Sequence, residues 1–359
     1  MKAAVFHGPN QPLTIEQVDI DSPQAHEVLI RTVASGVCHS DLHFVDGYYS
    51  FPAPAVLGHE AAGVVEAVGD QVTYVKPGDH VITCLSVYCG ECEYCLTGRT
   101  HLCQSRPTRA RTDRPRLMWQ GQPVNQFANL SSYAEKMLVH EHAVVKIRED
   151  MPLDRAALIG CGVTTGLGAV LNTAKIEPGS TVAVFGCGGV GLAAVQGARI
   201  AGARTIIAVD VYEHKLSLAR ELGATHSVDA SSRDPVEAIR ELTGGGVDYS
   251  FEAIGLKKAA EQCFDCLRPG GTATIIGMIP MGQKVELDGY MFLREKKIQG
   301  SSMGSNRFRV DMPRYIDFYM QGRLRLDEMI SRRGRLEDVN DAFRAMKAGE
   351  VARTVLMFD

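Results

Sequence analysis

Apolar and polar positions change their period part-way along the chain. Up to about residue 150, short β-branched or apolar runs at 3–6, 28–30, 63–68 and 79–82 are separated by turn residues such as Pro77-Gly78. Runs of this kind predict the strands of a distorted antiparallel barrel or sheet. From about Gly179 the order becomes a strand over 181–185, a glycine turn and a helical run to 201. A second strand over 205–209, a helix over 215–222 and a later strand over 272–276 continue the alternation. Regular β-α alternation predicts a parallel, doubly wound α/β sheet. After Gly300 the pattern is irregular again, with a helix expected around 338–346 and a terminal strand over 354–358. Two architectures are therefore expected, with no internal repeat or low-complexity linker.

Length agrees with that division, since 359 residues suit two domains with separate cores. The 38 basic against 42 acidic residues leave a formal charge of -4, which favours neither nucleic acid nor an acidic-tail partner. The longest nearly apolar stretch, 182–195, falls short of the ~18–20 residues of a membrane span and contains four glycines. The apolar run after Lys2 stops at His7-Gly8-Pro9, too short for the core of a secretory signal. A cytoplasmic protein that does not cross a membrane is expected.

Ten cysteines in such a chain should stay reduced, and their spacing points to metal. Cys89, Cys92, Cys95 and Cys103 crowd into one segment, with Gly90 and Gly98 as turns between them, whereas Cys38, Cys84, Cys161, Cys187, Cys263 and Cys266 are dispersed. Spacings of three, three and eight bring four thiolates within reach of one tetrahedral ion and describe a closed structural zinc site; an iron–sulfur cluster or free thiols in a loop are the alternatives. Cys263 and Cys266 read as core residues of a helix face, and Cys84 and Cys187 receive no role.

The turn Gly186-Cys187-Gly188-Gly189-Val190-Gly191 follows an apolar strand and opens a helix, and Asp210 stands at the end of the next strand. The glycines suit a tight turn, a close backbone approach to a pyrophosphate and close helix–strand packing, and the helix N-terminus offers N–H groups to phosphate. A carboxylate at 210 accepts hydrogen bonds from a ribose diol and repels a 2′-phosphate, so NAD is expected over NADP. A tight turn that binds nothing is the alternative.

Three further segments, each weak alone, are Gly36-Val37-Cys38-His39-Ser40-Asp41-Leu42-His43, Gly58-His59-Glu60-Ala61-Ala62-Gly63 and Gly160-Cys161-Gly162-Val163-Thr164-Thr165-Gly166. With the four-cysteine segment and the glycine turn they occur in the order found in the zinc-dependent medium-chain alcohol dehydrogenases, which the chain resembles from end to end. The resemblance implies a Rossmann sheet inserted into a β-rich, GroES-like catalytic domain, with boundaries at 1–162, 163–302 and 303–359 and a zinc lobe at 89–103. It implies two zinc ions per chain, the catalytic one held by Cys38, His59 and Cys161, with Glu60 behind it and Asp41 orienting His59. It further implies proton relay from Ser40 to His43, and cofactor contacts from His39, Arg353, Thr165 and Lys215 together with Asp210. Ser40 as a helix cap, His43, Asp41 and Glu60 as surface groups, and Arg353 as an exposed arginine before an edge strand are the alternatives.

Pocket walls implied by the resemblance are Tyr49, Leu85, Phe127 and Trp119, an apolar set that favours a hydrophobic alcohol or aldehyde. Members that oxidise glutathione adducts carry an acid where Tyr49 stands, which disfavours that activity. The expected reaction is hydride transfer between a primary or secondary alcohol and NAD, in a homodimer or homotetramer. The alternatives are a polyol dehydrogenase, disfavoured by cysteine in place of glutamate at 161, and a non-catalytic NAD-binding structural protein.

Overall fold

The computed structural model describes residues 1–110 and 112–358, in two units. The first comprises Met1–Cys161, Arg307–Asp317 and Ile330–Asp359, and the second Gly162–Asn306 and Phe318–Met329.

The first unit is built on the strand Glu27–Gly36, whose side chains alternate between buried and half-buried over most of its length, as a strand packed on one face requires. It pairs antiparallel with Ala61–Val68 and Lys136–His140, and Ala61–Val68 pairs in turn with His80–Thr83. Near the C-terminus, Thr354–Met357 joins the other edge of Glu27–Gly36, with Val355 opposite Gly36. The end of the chain thus lies beside the segment that leads into Cys38. A second, four-stranded sheet contains Lys2–Phe6, Thr14–Gln17, Ala55–Val56 and Asn125–Gln126.

The second unit holds six parallel strands in the order His226–Asp229, Thr205–Asp210, Thr181–Phe185, Val247–Glu252, Leu267–Ile275 and Lys297–Gly300. Thr181–Phe185 is buried at every position, the continuous apolar run of a strand covered on both faces. Cys263 and Cys266 are fully buried with Phe185, Ile207 and Phe264 in this core, so their thiols act as small apolar groups.

Two helices depart from the sequence expectation. The longest apolar stretch is not 182–195 but the helix Leu153–Ala174, which has the length and composition of a membrane span, and 83% of its most apolar window is buried inside the protein. Glycines and wide π-type turns over Ile159–Val163 and Ala169–Ala174 obscure its period in the sequence. Phe308–Met320 is helical in the region read as irregular, with Pro313 inside it, and a proline there removes a helical hydrogen bond.

The stretch that follows the cysteine cluster is fastened to the start of the central strand by buried charges. Arg109 Nη2 lies 2.5 Å from Glu27 Oε2 and its Nη1 2.7 Å from Asp21, while Arg116 Nε lies 2.7 Å from Glu27 Oε1. Burial alone would raise the Glu27 carboxyl, but hydrogen bonds and charge from Arg109 and Arg116 outweigh it and lower its pKa to about 2. Its folded value is below the unfolded one, so the stabilisation is complete above pH 4.5 and is lost as pH falls towards 2. Glu27→Gln should therefore cost about 3 kcal/mol at pH 7. The gap between variant and wild-type melting temperatures should close as pH is lowered through this window, and a gap independent of pH would contradict the assignment.

Candidate functional site

Cys38, His59 and Cys161 come from remote segments, yet their ligand atoms all lie within 4.8 Å of one another. Cys38 follows the central strand and precedes the short helix His39–Val45; His59 precedes the strand Ala61–Val68; Cys161 sits in the first wide turn of the helix Leu153–Ala174. All three are buried, and His59 Nε2 lies 3.2 Å from Cys161 Sγ. A hydrogen bond from Cys161, and the positive groups Arg353 and His59, hold the Cys38 thiol well below its ordinary range despite burial. Two sulfurs and one imidazole nitrogen at this spacing form a donor set suited to tetrahedral zinc with one position open.

Behind these side chains the acids are buried, which excludes the surface reading. Asp41 and Glu60 are both 0% exposed. Asp41 Oδ1 lies 3.1 Å from His59 Nδ1, an arrangement that directs Nε2 toward the two sulfurs. Glu60 Oε2 lies 3.1 Å from Arg353 Nη2, and Arg353 Nη1 donates to Val37 O at 3.2 Å. Arg353 is thus a buried cation, kept charged against the cost of burial by Glu60, Cys38 and Cys161. Ser40 is no helix cap: Cys38 takes that position, and Ser40 Oγ lies in the first helical turn, 3.6 Å from Cys38 Sγ. His43, on the same helix, is half-buried.

Cys89, Cys92, Cys95 and Cys103 converge on a second point. Four of their Sγ–Sγ separations are 3.8, 3.5, 3.8 and 3.6 Å. A tetrahedron of thiolates ~2.3 Å from a central zinc has edges of about 3.8 Å. Backbone N–H groups of Glu91 and Cys92 point at Cys89 Sγ and lower its pKa, as a thiolate ligand requires.

In the second unit Gly186 has φ +91°, a left-handed conformation that closes the turn, and a Cβ on Gly191 would collide with Gly186 O. A Cβ on Gly188 would meet nothing within 4 Å, so backbone is left bare at the mouth of the helix Gly189–Ile200. That is the shape a pyrophosphate needs. Asp210 Oδ2 accepts the Cys187 N–H at 2.7 Å and Oδ1 accepts Val211 N–H at 2.8 Å, so the acid also fixes the turn. Lys215 Nζ lies 4.8 Å from the Tyr212 ring centre, and Thr165, nearly buried, donates to Met303 Sδ at 3.3 Å. His39 belongs to the first unit, with Arg353; the other cofactor candidates belong to the second.

Of the expected pocket walls, Phe127 stands with its ring 5.8 Å from His59. Phe44 and Phe51, overlooked in the sequence, lie 4.8 and 5.2 Å from Phe127, and Tyr49 lies 5.8 Å from Phe44. Leu85 packs at the edge of a different cluster, around Val28 and Val81. Trp119 is not part of this aromatic group: it packs with Met1 and Ile20, 5.1 Å from His7.

Sheet order and site together define a two-unit dehydrogenase, and comparison with known proteins agrees. Residues 24–149 match the alcohol dehydrogenase GroES-like domain and residues 189–320 the zinc-binding dehydrogenase family. Alcohol dehydrogenase class-3 of Zea mays is 40% identical, over 99% of this chain and 96% of that protein. Benzyl alcohol dehydrogenase from Acinetobacter calcoaceticus superposes with a TM-score of 0.94 at 34% identity, covering 100% of this chain and 99% of the other. An alcohol dehydrogenase zinc-binding domain protein from Burkholderia ambifaria gives the same TM-score at 39% identity, over 100% and 98% of the two chains. The chain belongs to the zinc-dependent medium-chain alcohol dehydrogenases and is an oxidoreductase acting on alcohols.

Cys92→Ser removes one corner of the four-thiolate cluster. It should lower bound zinc from about two to about one per chain, and lower the melting temperature by several degrees. Elemental analysis and a thermal melt check both; unchanged zinc would show that these cysteines hold none.

Proposed function

We propose that the protein interconverts hydrophobic, preferentially aromatic, primary or secondary alcohols with their aldehydes or ketones, using NAD. The observation that carries this reading is the placement of Phe127, Phe44, Phe51 and Tyr49 beside the Cys38, His59 and Cys161 group. A zinc ion held there by Cys38, His59 and Cys161 supplies Lewis-acid polarisation of the substrate oxygen, and NAD supplies the hydride acceptor. The aromatic rings exclude water and seat the apolar part of the substrate. Ser40 Oγ accepts the hydroxyl proton while giving up its own, and His43 is the group that carries the released proton outward. Burial pushes the His43 imidazole below its ordinary pKa, with Cys38 and Asp46 only partly opposing, so it is neutral at pH 7 and ready to accept a proton. Glu60, held by Arg353, backs the metal ligands, and the four-thiolate lobe holds its zinc for stability. By the family resemblance, His39 and Arg353 would contact the cofactor pyrophosphate.

Six reduced cysteines serving as ligands suit the cytoplasm. Self-association is supported by the strand Lys297–Gly300, which ends the sheet with an edge unpaired among the described residues, and by the apolar side chains Leu293 and Met281, 79% and 76% exposed. A homodimer or homotetramer is the assembly this reading expects.

Purified protein given NAD and a panel of alcohols should form NADH, followed by absorbance, with the highest kcat/KM for benzyl-type alcohols. Preference for polyols would support the polyol reading, and NAD binding without reduction by any alcohol would support a structural protein.

Asp210→Gly should weaken NAD and improve NADP. The like-charge clash with a 2′-phosphate disappears and Arg204 and Lys215 can attract it, while loss of the tie to Cys187 N–H loosens the turn for both cofactors. Values of kcat/KM for both cofactors should show the NAD:NADP ratio falling by at least about tenfold, with zinc content unaltered; an unchanged ratio removes Asp210 from cofactor choice.

A further inference from the structure

Asp41 is a fully buried carboxylate, and among the described residues no cationic side chain other than His59 lies within salt-bridge distance of it. Three donors surround it. Oδ1 receives the Gly58 N–H at 3.1 Å and faces His59 Nδ1 at 3.1 Å, and Oδ2 accepts the Tyr133 hydroxyl at 2.8 Å. Tyr133 is itself 0% exposed and among the largest fully buried side chains. The extended segment that carries it crosses the turn before His59: Tyr133 N donates to Leu57 O at 3.1 Å and Ser132 N to Gly58 O at 3.0 Å. Gly58 has φ +88°, and a Cβ there would collide with Tyr133 and Ser132, so the turn and the ring are fitted to each other.

We propose that Tyr133 is a positioning residue for His59, acting through Asp41; the inference rests on His59 being a metal ligand. A phenol near neutrality is protonated and donates, so it anchors the one carboxylate oxygen that the His59 side of the site does not use. With Oδ2 held, Oδ1 keeps its orientation toward Nδ1, which fixes the imidazole as the Nδ1–H tautomer and leaves the Nε2 lone pair for the metal. Without the hydroxyl, Oδ2 is buried and unsatisfied, and the carboxylate relieves this by turning. That turn releases His59 to the other tautomer, in which Nε2 carries hydrogen and cannot bind metal.

The test is release of zinc from the holoenzyme to a coloured chelator, where two sites give two phases. Tyr133→Phe should accelerate one phase by about three- to tenfold, below the 10–100-fold of groups that contact a ligand directly, and leave the four-thiolate phase unchanged. Ser132→Ala, which breaks the neighbouring 2.8 Å Ser35–Ser132 hydrogen bond but keeps the phenol, should change neither phase. In an Asp41→Asn background the increment from Tyr133→Phe should shrink, because its path to His59 is already cut and only its contact with the Cys38 backbone is left. Unchanged release in Tyr133→Phe, or the same increment with and without Asp41, overturns the proposal. If Tyr133→Phe does not fold, 3-fluorotyrosine at position 133 alone, a stronger donor of the same shape, should slow the same phase; release unchanged or faster overturns it. A wild-type chain that releases only one zinc would instead refute His59 as a ligand.

Discussion

Antiparallel pairing of Ser35 with Ala61 sets the spacing on which the metal-ligand geometry depends. Beyond the paired residues Gly36 N–H still donates to Glu60 O at 2.7 Å, and Val37 N–H donates to Thr354 O at 2.9 Å. Cys38 and His59 therefore leave adjacent strands side by side, held by backbone bonds whose number does not depend on side chains. The third ligand arrives on a helix that must come very close: a Cβ on Gly160 would lie 3.0 Å from Thr83 O and 3.3 Å from Ala61 N. Glycine before Cys161 is what lets the helix backbone reach the sheet.

The same compactness concentrates charge where solvent does not reach. Glu60 and Arg353 neutralise each other, and two thiolates would neutralise a dication. Asp41 is then the acid left over, compensated by hydrogen bonds. Without a cation the two sulfurs divide their protonation, Cys38 held low and Cys161 pushed up, as one proton shared in a small space demands.

Legibility in the sequence followed the range of the determining contact. Thr181–Phe185 could be located to the residue because a covered central strand is apolar throughout, and the glycine turn because its constraints lie within a few positions. The ten-residue strand Glu27–Gly36 was visible only as a fragment, since Glu27, Arg31 and Thr32 break its apolar run. Glu27 is buried there only because Arg109, 82 positions later, neutralises it. Phe44, Phe51 and Tyr133 carry no signal in the sequence; their neighbours Phe127 and Asp41 are brought to them by tertiary folding alone. For Arg353, read as a cofactor contact with exposure as the alternative, nothing nearby in the sequence signals burial, because the carboxylate that pairs with it lies 293 positions away.

The two clusters of ligands also differ in how far apart they stand along the chain. Cys89 and Cys103 are 14 positions apart, whereas His59 and Cys161 are 102 apart. Closing the longer loop costs about 2 kcal/mol more in chain entropy, and it cannot close until the strands that position both ends have paired. The four-thiolate cluster needs only its own short segment. During N-to-C synthesis it is complete once Cys103 has emerged, while the strand leading to Cys38 waits for Thr354–Met357, nearly the last residues made, to cover its free edge. Order of assembly is thus written into the placement of the ligands, with the lobe a local event and the other cluster the last part of the unit to be finished.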